Sequence, residues 1–234
     1  GESVLRAARA LRHNVLAVAG ALLQAEPASL DIRDGVVVDK ADGAARMPLE
    51  EVARVSYFRP DTLPAGFQAE MMATRHYVPK EYPVAFTNGM QASYVEIDSE
   101  TGFVTLLGHW VVEDCGTVIN PQLVDEQVRG GVVQGIGGVL LEECRYDGDG
   151  NLLNASMADY LVPMAGGMPN IHVGHVETPT RESELGAKGA GEAGTAGAPA
   201  AIMNAINDAL APLNAAVWAQ PVTPESILRA LGRV

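Results

Sequence analysis

MQASYVEIDSETGFVTLLGHWVVED, from Met90 to Asp114, decides the fold class. Two runs rich in β-branched and aromatic residues flank DSETG (98–102), whose Asp, Ser and Gly favour a tight turn, so the stretch predicts an antiparallel hairpin. A shorter hairpin is predicted in IRDGVVV (32–38), where Asp34-Gly35 supplies the residues that a two-residue turn demands. FQAEMMATRHYV (67–78) and NIHVGHVET (170–178) read as further β segments, and MADYLVP (157–163) as extended chain.

Helical segments surround these runs. Residues 4–24 place Leu5, Ala8, Leu11, Leu16, Val18 and Leu22 near helical spacing, with arginines on the other side, and the pattern stops before Pro27. MPLEEVARVSY (47–57) predicts a short helix beginning near Pro48, and residues 56–66 a loop. NPQLVDEQVRGGVVQGIGGVLLEE (120–143) predicts a helix with Asn120 as N-cap and Pro121 at its first position. Gly130, Gly131, Gly135, Gly137 and Gly138 each cost that helix about 0.5–1 kcal/mol against Ala, so a close neighbour is expected to compensate. GAPAAIMNAINDALAPL (197–213) predicts a buried helix with Ile202, Ala205, Ile206, Ala209 and Leu210 on one face. A last helix follows Thr223 as N-cap through Pro224. Helices mixed with hairpins give an α+β class with a largely antiparallel sheet.

A chain of 234 residues with 47% hydrophobic and 19% charged residues has the composition of a folded globular protein. Its net charge of −13 and three lysines (Lys40, Lys80, Lys188) exclude non-specific binding to a nucleic-acid backbone, which needs cations against phosphates. No apolar run approaches the roughly 18 residues that span a bilayer. Arg6, Arg9, Arg12 and His13 break the N-terminal stretch, giving neither a membrane span nor a signal peptide. Cys115 and Cys144 are too few for a disulfide framework and are expected to be reduced, buried thiols. The chain begins at Gly1 without an initiator Met, as a processed product or part of a longer polypeptide does.

Chemistry concentrates in GAKGAGEAGTAG (186–197), where nine of twelve residues are Gly or Ala and the exceptions are Lys188, Glu192 and Thr195. Such a stretch lets another group approach the main chain closely. GAGEAG (189–194) matches GxGxxG, but the polar approach ETPTRESEL is no buried strand, and no acid stands about 20 residues on outside a helix. GxxxxGK[ST] is absent. YDGDGN (146–151) lacks the glycine and closing Glu of a calcium loop and reads as a turn. The two histidines of HVGH (172–175) are three apart, on opposite faces of a strand, with no partner for a metal. Glu192 has two readings: a helix-start acid favoured by the helix dipole, or a carboxylate over a floor of backbone N–H groups, where desolvation fits it for general-base work.

ELGAKGAGEAGTAGAPAAIMNAINDAL (184–210), DCGTVINPQLVDEQVRGGVVQGIGGVLLEE (114–143), VEIDSETGFV (95–104), DYLVP (159–163) and PVTPESILRAL (221–231) occur in one order over essentially the whole chain. Together they resemble the molybdenum-binding large subunit of the xanthine oxidase family, which includes xanthine dehydrogenases, aldehyde oxidoreductases, aerobic carbon monoxide dehydrogenases and N-heterocycle hydroxylases. The resemblance is to the C-terminal part of that subunit. It implies a molybdopterin-binding α+β domain over residues 1–234, read as two closely packed lobes of about 1–115 and 116–234. The family's earlier glycine-rich segment, active-site arginine and further pterin-binding segment are expected on another portion or polypeptide.

By the same resemblance, Glu192 matches the family's general base, with water as the oxygen source. Gln127 matches the glutamine that contacts the molybdenum–pterin cofactor, and Lys188, Gly189, Ala190 and Gly191 the stretch running beside it. The pterin holds the molybdenum, so no protein metal ligands are expected. The implied function is oxidation of an N-heterocycle or aldehyde in the cytoplasm, with electrons leaving to [2Fe–2S] and FAD partners and the pterin commonly in its cytosine dinucleotide form. Carbon monoxide oxidation and reduction of an aromatic thioester are the alternatives within the family. A non-catalytic structural subunit and a dinucleotide-binding protein are those outside it.

Overall fold

The computed structural model describes residues 1–81 and 84–234, and the chain divides into two compact units, Gly1–Pro79 and Lys80–Val234. In the first unit, helix α1 (Glu2–Leu23) turns Val15, Leu16, Val18 and Ala19 onto a core. Strands β1 (Leu30–Arg33), β2 (Val36–Asp39) and β3 (Ala45–Pro48) form an antiparallel sheet in that order. Asp34 and Gly35 both take positive φ, 47° and 74°, the mirror-image turn whose twist suits a two-residue hairpin. Helix α2 (Leu49–Phe58) closes the core with Val52 and Val55.

Residues 67–78 are extended but pair with no strand among the described residues. Their alternation is real, because Phe67, Ala69 and Met71 pack on the core while Gln68, Glu70 and Met72 face outward. Period-two burial reports an extended chain on a core, and it is silent on whether a neighbouring strand is present.

The second unit is built on β4 (Asn88–Ile97), β5 (Val104–Asp114) and β6 (Ile171–His175), in that order. Asp98 sets the hairpin turn: its carboxylate accepts from the Glu100 N–H and the Thr101 hydroxyl, and its carbonyl from Gly102 at φ 77°. The β4–β5 pairing is antiparallel, with a bulge after Tyr94, whereas β6 runs parallel to β5. A parallel partner requires a crossover, and helix α3 (Pro121–Leu140) supplies it, capped by the Asn120 side chain on the Leu123 N–H at 3.1 Å. Helix α4 (Ala193–Leu210) and helix α5 (Pro224–Ala230), the latter capped by Thr223, complete the unit. The hairpin assigned from sequence to residues 1–115 thus belongs with the second unit, since β5 shares a sheet with β6 and buries its inner face under the helices.

Val111, Val128, Val132, Ile136, Ile202, Ile206, Leu210 and Ile227 are fully buried in one core, each contributing about 1.5–3 kcal/mol of transfer free energy. Of the α3 glycines, Gly131 and Gly135 find the expected close neighbour in α4 and Gly137 finds it in Glu142 and Pro163, whereas Gly130 and Gly138 face open space. A Cβ on Gly194 would lie 2.1 Å from the Val128 carbonyl oxygen, and one on Gly131 would lie 2.9 Å from the Thr195 nitrogen. The helices therefore touch backbone to backbone, and the Thr195 hydroxyl donates to the Gly131 carbonyl at 3.0 Å.

Other details depart from the sequence reading. Residues 157–159 form a turn rather than extended chain, held by Ser156 and by the Tyr160 hydroxyl on Glu142, which pushes the phenol up to about 12. Of the two free thiols Cys115 is buried and Cys144 exposed. Among the described residues, no helix is long and apolar enough to cross a membrane.

The close helix contact makes opposite predictions for a glycine inside it and an exposed glycine beside it. Gly194→Ala is expected to lower the unfolding free energy by about 1–3 kcal/mol, because the methyl meets backbone. Gly130→Ala, whose Cβ would meet nothing within 4 Å, is expected to raise it by about 0.5–1 kcal/mol. Urea midpoints of the two variants check both signs.

Candidate functional site

The site is assembled where β5 ends. Asp114 is buried there, and its carboxylate accepts from the Gly116 N–H at 2.9 Å, the Thr178 N–H at 3.1 Å, the Thr178 hydroxyl, and the Lys188 ammonium at 3.1 Å. Lys188 also donates to the Thr178 hydroxyl oxygen at 2.6 Å. The Thr178 hydroxyl first, then the backbone N–H groups and Lys188, hold the Asp114 carboxyl well below the usual carboxylate range. The Lys188 N–H donates to the Cys115 carbonyl at 2.7 Å, and Ala187 bridges Gly116. Charge and main chain together clamp the start of the glycine-rich stretch to the end of the sheet.

From this clamp Gly189, Ala190 and Gly191 lead to Glu192, the N-cap residue of α4. The Gln127 amide, projecting from α3, donates to the Gly191 carbonyl at 3.2 Å. The N–H groups of Gly189, Ala190 and Gly191 have no hydrogen-bond partner among the described residues, and a Cβ on either glycine would point into open space. A row of free main-chain donors beside a side-chain amide is a fitting surface for an oxygen- and nitrogen-rich cofactor. The Glu192 side chain makes no capping hydrogen bond, so its exposed carboxylate is not committed to the helix end.

Glu192 borders a cleft of about 380 Å³ whose walls include Gln91, Glu113, Ala193 and Ala196. Here the inner face of the sheet changes character. Val95, Ile97, Val104 and Leu106 pack on the core at one end, while Gln91, Ser93, His109 and Glu113 occupy the same face at the other. The Gln91 amide nitrogen lies 3.2 Å from the Glu113 carboxylate and 3.1 Å and 3.0 Å from the carbonyls of Ala193 and Gly194. Its oxygen lies 3.0 Å from His109 Nε2. Burial raises the Glu113 pKa, opposed by the Gln91 hydrogen bond, and burial lowers that of His109. Two carboxyl groups thus share one cleft: Glu192 in solvent and Glu113 in a wall that favours its neutral form.

The structure brings Gln127, Gly191 and Glu192 together. It turns the Lys188 side chain away, onto Asp114. Sequence reading passed over Gln91, His109, Glu113 and Asp114, although polar residues at positions that strand alternation assigns to the core were the available signal. HVGH divides as its odd offset requires, His172 stacking on Trp110 at 5.5 Å and His175 bonding Asp125 at 2.6 Å. GAGEAG opens a helix but follows no strand. Among the described residues, no cluster of three or more His, Cys, Asp or Glu could hold a metal ion.

Known proteins are similar to this chain in sequence and fold. A sequence model of the molybdopterin cofactor-binding domain matches residues 1–169. The nicotine 6-hydroxylase large subunit of Paenarthrobacter nicotinovorans is 40% identical over 230 residues, 98% of this chain and 28% of that protein. The carbon monoxide dehydrogenase large chain of Hydrogenophaga pseudoflava is 27% identical over 99% of this chain and 28% of its own length. Among solved structures, quinoline 2-oxidoreductase from Pseudomonas putida 86 superposes with a TM-score of 0.73 at 42% identity, covering 97% of this chain and 29% of that one. The chain spans less than a third of the length of these relatives.

The Asp114 clamp has a pH signature. A carboxyl with a depressed folded-state pKa gives its full stabilisation above the unfolded value of about 3.9 and loses it as the pH falls below that. Asp114→Asn is expected to cost about 2 kcal/mol at neutral pH. The gap from wild type should close as urea titrations move below about pH 4; a gap independent of pH would contradict the clamp.

Proposed function

The chain belongs to the molybdopterin cofactor-binding domain family, in the molybdenum-binding large subunits of the xanthine oxidase type, and from that premise we propose that it supplies the general base and part of the cofactor wall of a molybdenum hydroxylase. One observation carries this reading: the Gln127 amide meets the Gly191 carbonyl directly before Glu192, so a cofactor-facing amide, free main-chain donors and an uncommitted carboxylate converge on one rim. The substrate class is an N-heterocycle or aldehyde. Nicotine 6-hydroxylase and quinoline 2-oxidoreductase, at 40% and 42% identity over 98% and 97% of this chain, support the heterocycle over carbon monoxide, whose dehydrogenase large chains are 27% identical over 99% of it and 34% over 71%.

In this reading the bound molybdenum–pterin cofactor supplies the two-electron acceptor that oxygen insertion from water requires. The N–H groups of Gly189, Ala190 and Gly191 bind it, and the Gln127 side chain, steadied by the Gly191 carbonyl, orients it. A Glu192 carboxylate oxygen takes the proton that the attacking oxygen must lose before it becomes a competent nucleophile. Ala193 and Ala196 leave room for a flat ring in the cleft beside that carboxylate. Lys188, neutralised by Asp114, acts as an anchor for the wall. Electrons pass to [2Fe–2S] and FAD groups on partner polypeptides of a cytoplasmic complex, in keeping with relatives named as large or gamma subunits. The cytosine dinucleotide form of the pterin belongs to the same proposal.

Glu192→Gln is expected to lower kcat by roughly 10²–10⁴-fold while molybdenum content stays at the wild-type level. Near-normal turnover of a pyridine, quinoline or aldehyde in a dye-reduction assay would remove the catalytic assignment. Gln127→Ala is expected to act differently, lowering the molybdenum and pterin retained through purification; retention and activity both at wild-type levels would count against its role.

A further inference from the structure

We infer that Gln91 is the positioning residue for Glu192, fastening the first turn of α4 to the sheet so that the carboxylate is presented at a fixed place on the cleft rim. The inference rests on the catalytic reading of Glu192 and extends it to a side chain on a different element.

The hydrogen bonds define the orientation of the Gln91 amide. One end of the amide faces three acceptors, the carbonyls of Ala193 and Gly194 and the Glu113 carboxylate, at 3.1, 3.0 and 3.2 Å. Main-chain carbonyls cannot donate, so this end is the NH₂ group. The oxygen then faces His109 Nε2 at 3.0 Å, which must carry a hydrogen, and His109 Nδ1 accepts from the Ser93 hydroxyl at 2.9 Å. Neutral His109, fully buried, satisfies every bond in this chain with a single tautomer. Ser93 on β4 and His109 on β5 therefore lock the Gln91 side chain from behind.

The carbonyls of Ala193 and Gly194 belong to the two residues following Glu192, and they are held by a side chain whose own freedom is already spent. Gly197 contributes as well, since a Cβ there would lie 3.0 Å from the Gln91 amide carbon. The helix start cannot shift along the sheet without breaking these bonds. Near-attack placement of a base is sensitive to displacements of about 1 Å, which cost roughly a hundredfold in rate.

The groups facing Gln91 are Glu113 and His109 on β5, Ser93 on β4 and the first turn of α4, with His175 on β6 beside Glu113. This environment makes Gln91→Glu informative. An ionised glutamate there offers no donor to the carbonyls, whereas its protonated form recovers one O–H bond to α4.

The test uses the enzyme isolated with its cofactor and partner polypeptides. Gln91→Met, nearly isosteric but without donors, is expected to lower kcat by about tenfold to a hundredfold, with KM and molybdenum content little changed. Amide exchange in the peptide covering 190–198 should quicken by about tenfold, while exchange elsewhere in α4 stays the same. For Gln91→Glu, the ratio of its kcat to that of wild type should rise several-fold from about pH 8 to about pH 6, a recovery absent from Gln91→Met. Wild-type kcat and exchange in Gln91→Met beside an inactive Glu192→Gln enzyme overturn this inference alone. An active Glu192→Gln enzyme overturns the catalytic reading beneath it. A uniform rise in exchange along α4, or equal activity loss for both Gln91 variants at every pH, marks general destabilisation and likewise overturns it.

Discussion

Backbone contact between α3 and α4 is the constraint on which the second unit depends. Helix axes ordinarily stand 8–10 Å apart because side chains keep them there. At Gly131 and Gly194 no side chain intervenes, and the Thr195 hydroxyl bonds directly to the opposite helix. That proximity brings Gln127, one helical turn before Gly131, within reach of Gly191 at the mouth of α4. Glycines that weaken a helix in isolation thus convert two helix surfaces into one wall.

The fold was legible wherever a local rule was sufficient. Asp34-Gly35, Asp98 to Gly102, Asn120 and Thr223 each do in the structure what their residue types demand. Legibility failed where partners are distant in the chain. The period of residues 67–78 cannot say whether a strand lies alongside, and β6 pairs parallel to β5 because of a crossover that no local pattern encodes. The unit boundary escaped for the same reason, since a hairpin's allegiance is decided by what covers its inner face.

The site was legible in a different sense. Glu192 and Gln127 stand out in a motif and fall beside one rim, while Lys188, the other conspicuous residue, is bound to Asp114. The buried polar group behind the rim was hidden because each member looks like an ordinary strand residue. Only pairing shows that Gln91, Ser93, His109 and Glu113 share a face. A buried amide or hydroxyl without partners costs on the order of a few kcal/mol. A sheet that continued its Val and Ile to the end would avoid that exposure to risk, but it could offer no donors to a helix terminus. Polarity in this part of the core is therefore best understood as a means of holding position.

The parallel strand bears on how the second unit is made. β4 and β5 meet across the six residues 98–103 and can pair as soon as both exist. β6 must wait for the chain from Asp114 to Ile171 to be formed and closed, and long-range closure of this kind slows folding. Until then β5 presents an unpaired edge carrying Trp110 and Val112, a template for association with other chains. The stacking of His172 on Trp110 forms only when that edge is covered, so in a time-resolved experiment the tryptophan would report the last step of sheet assembly.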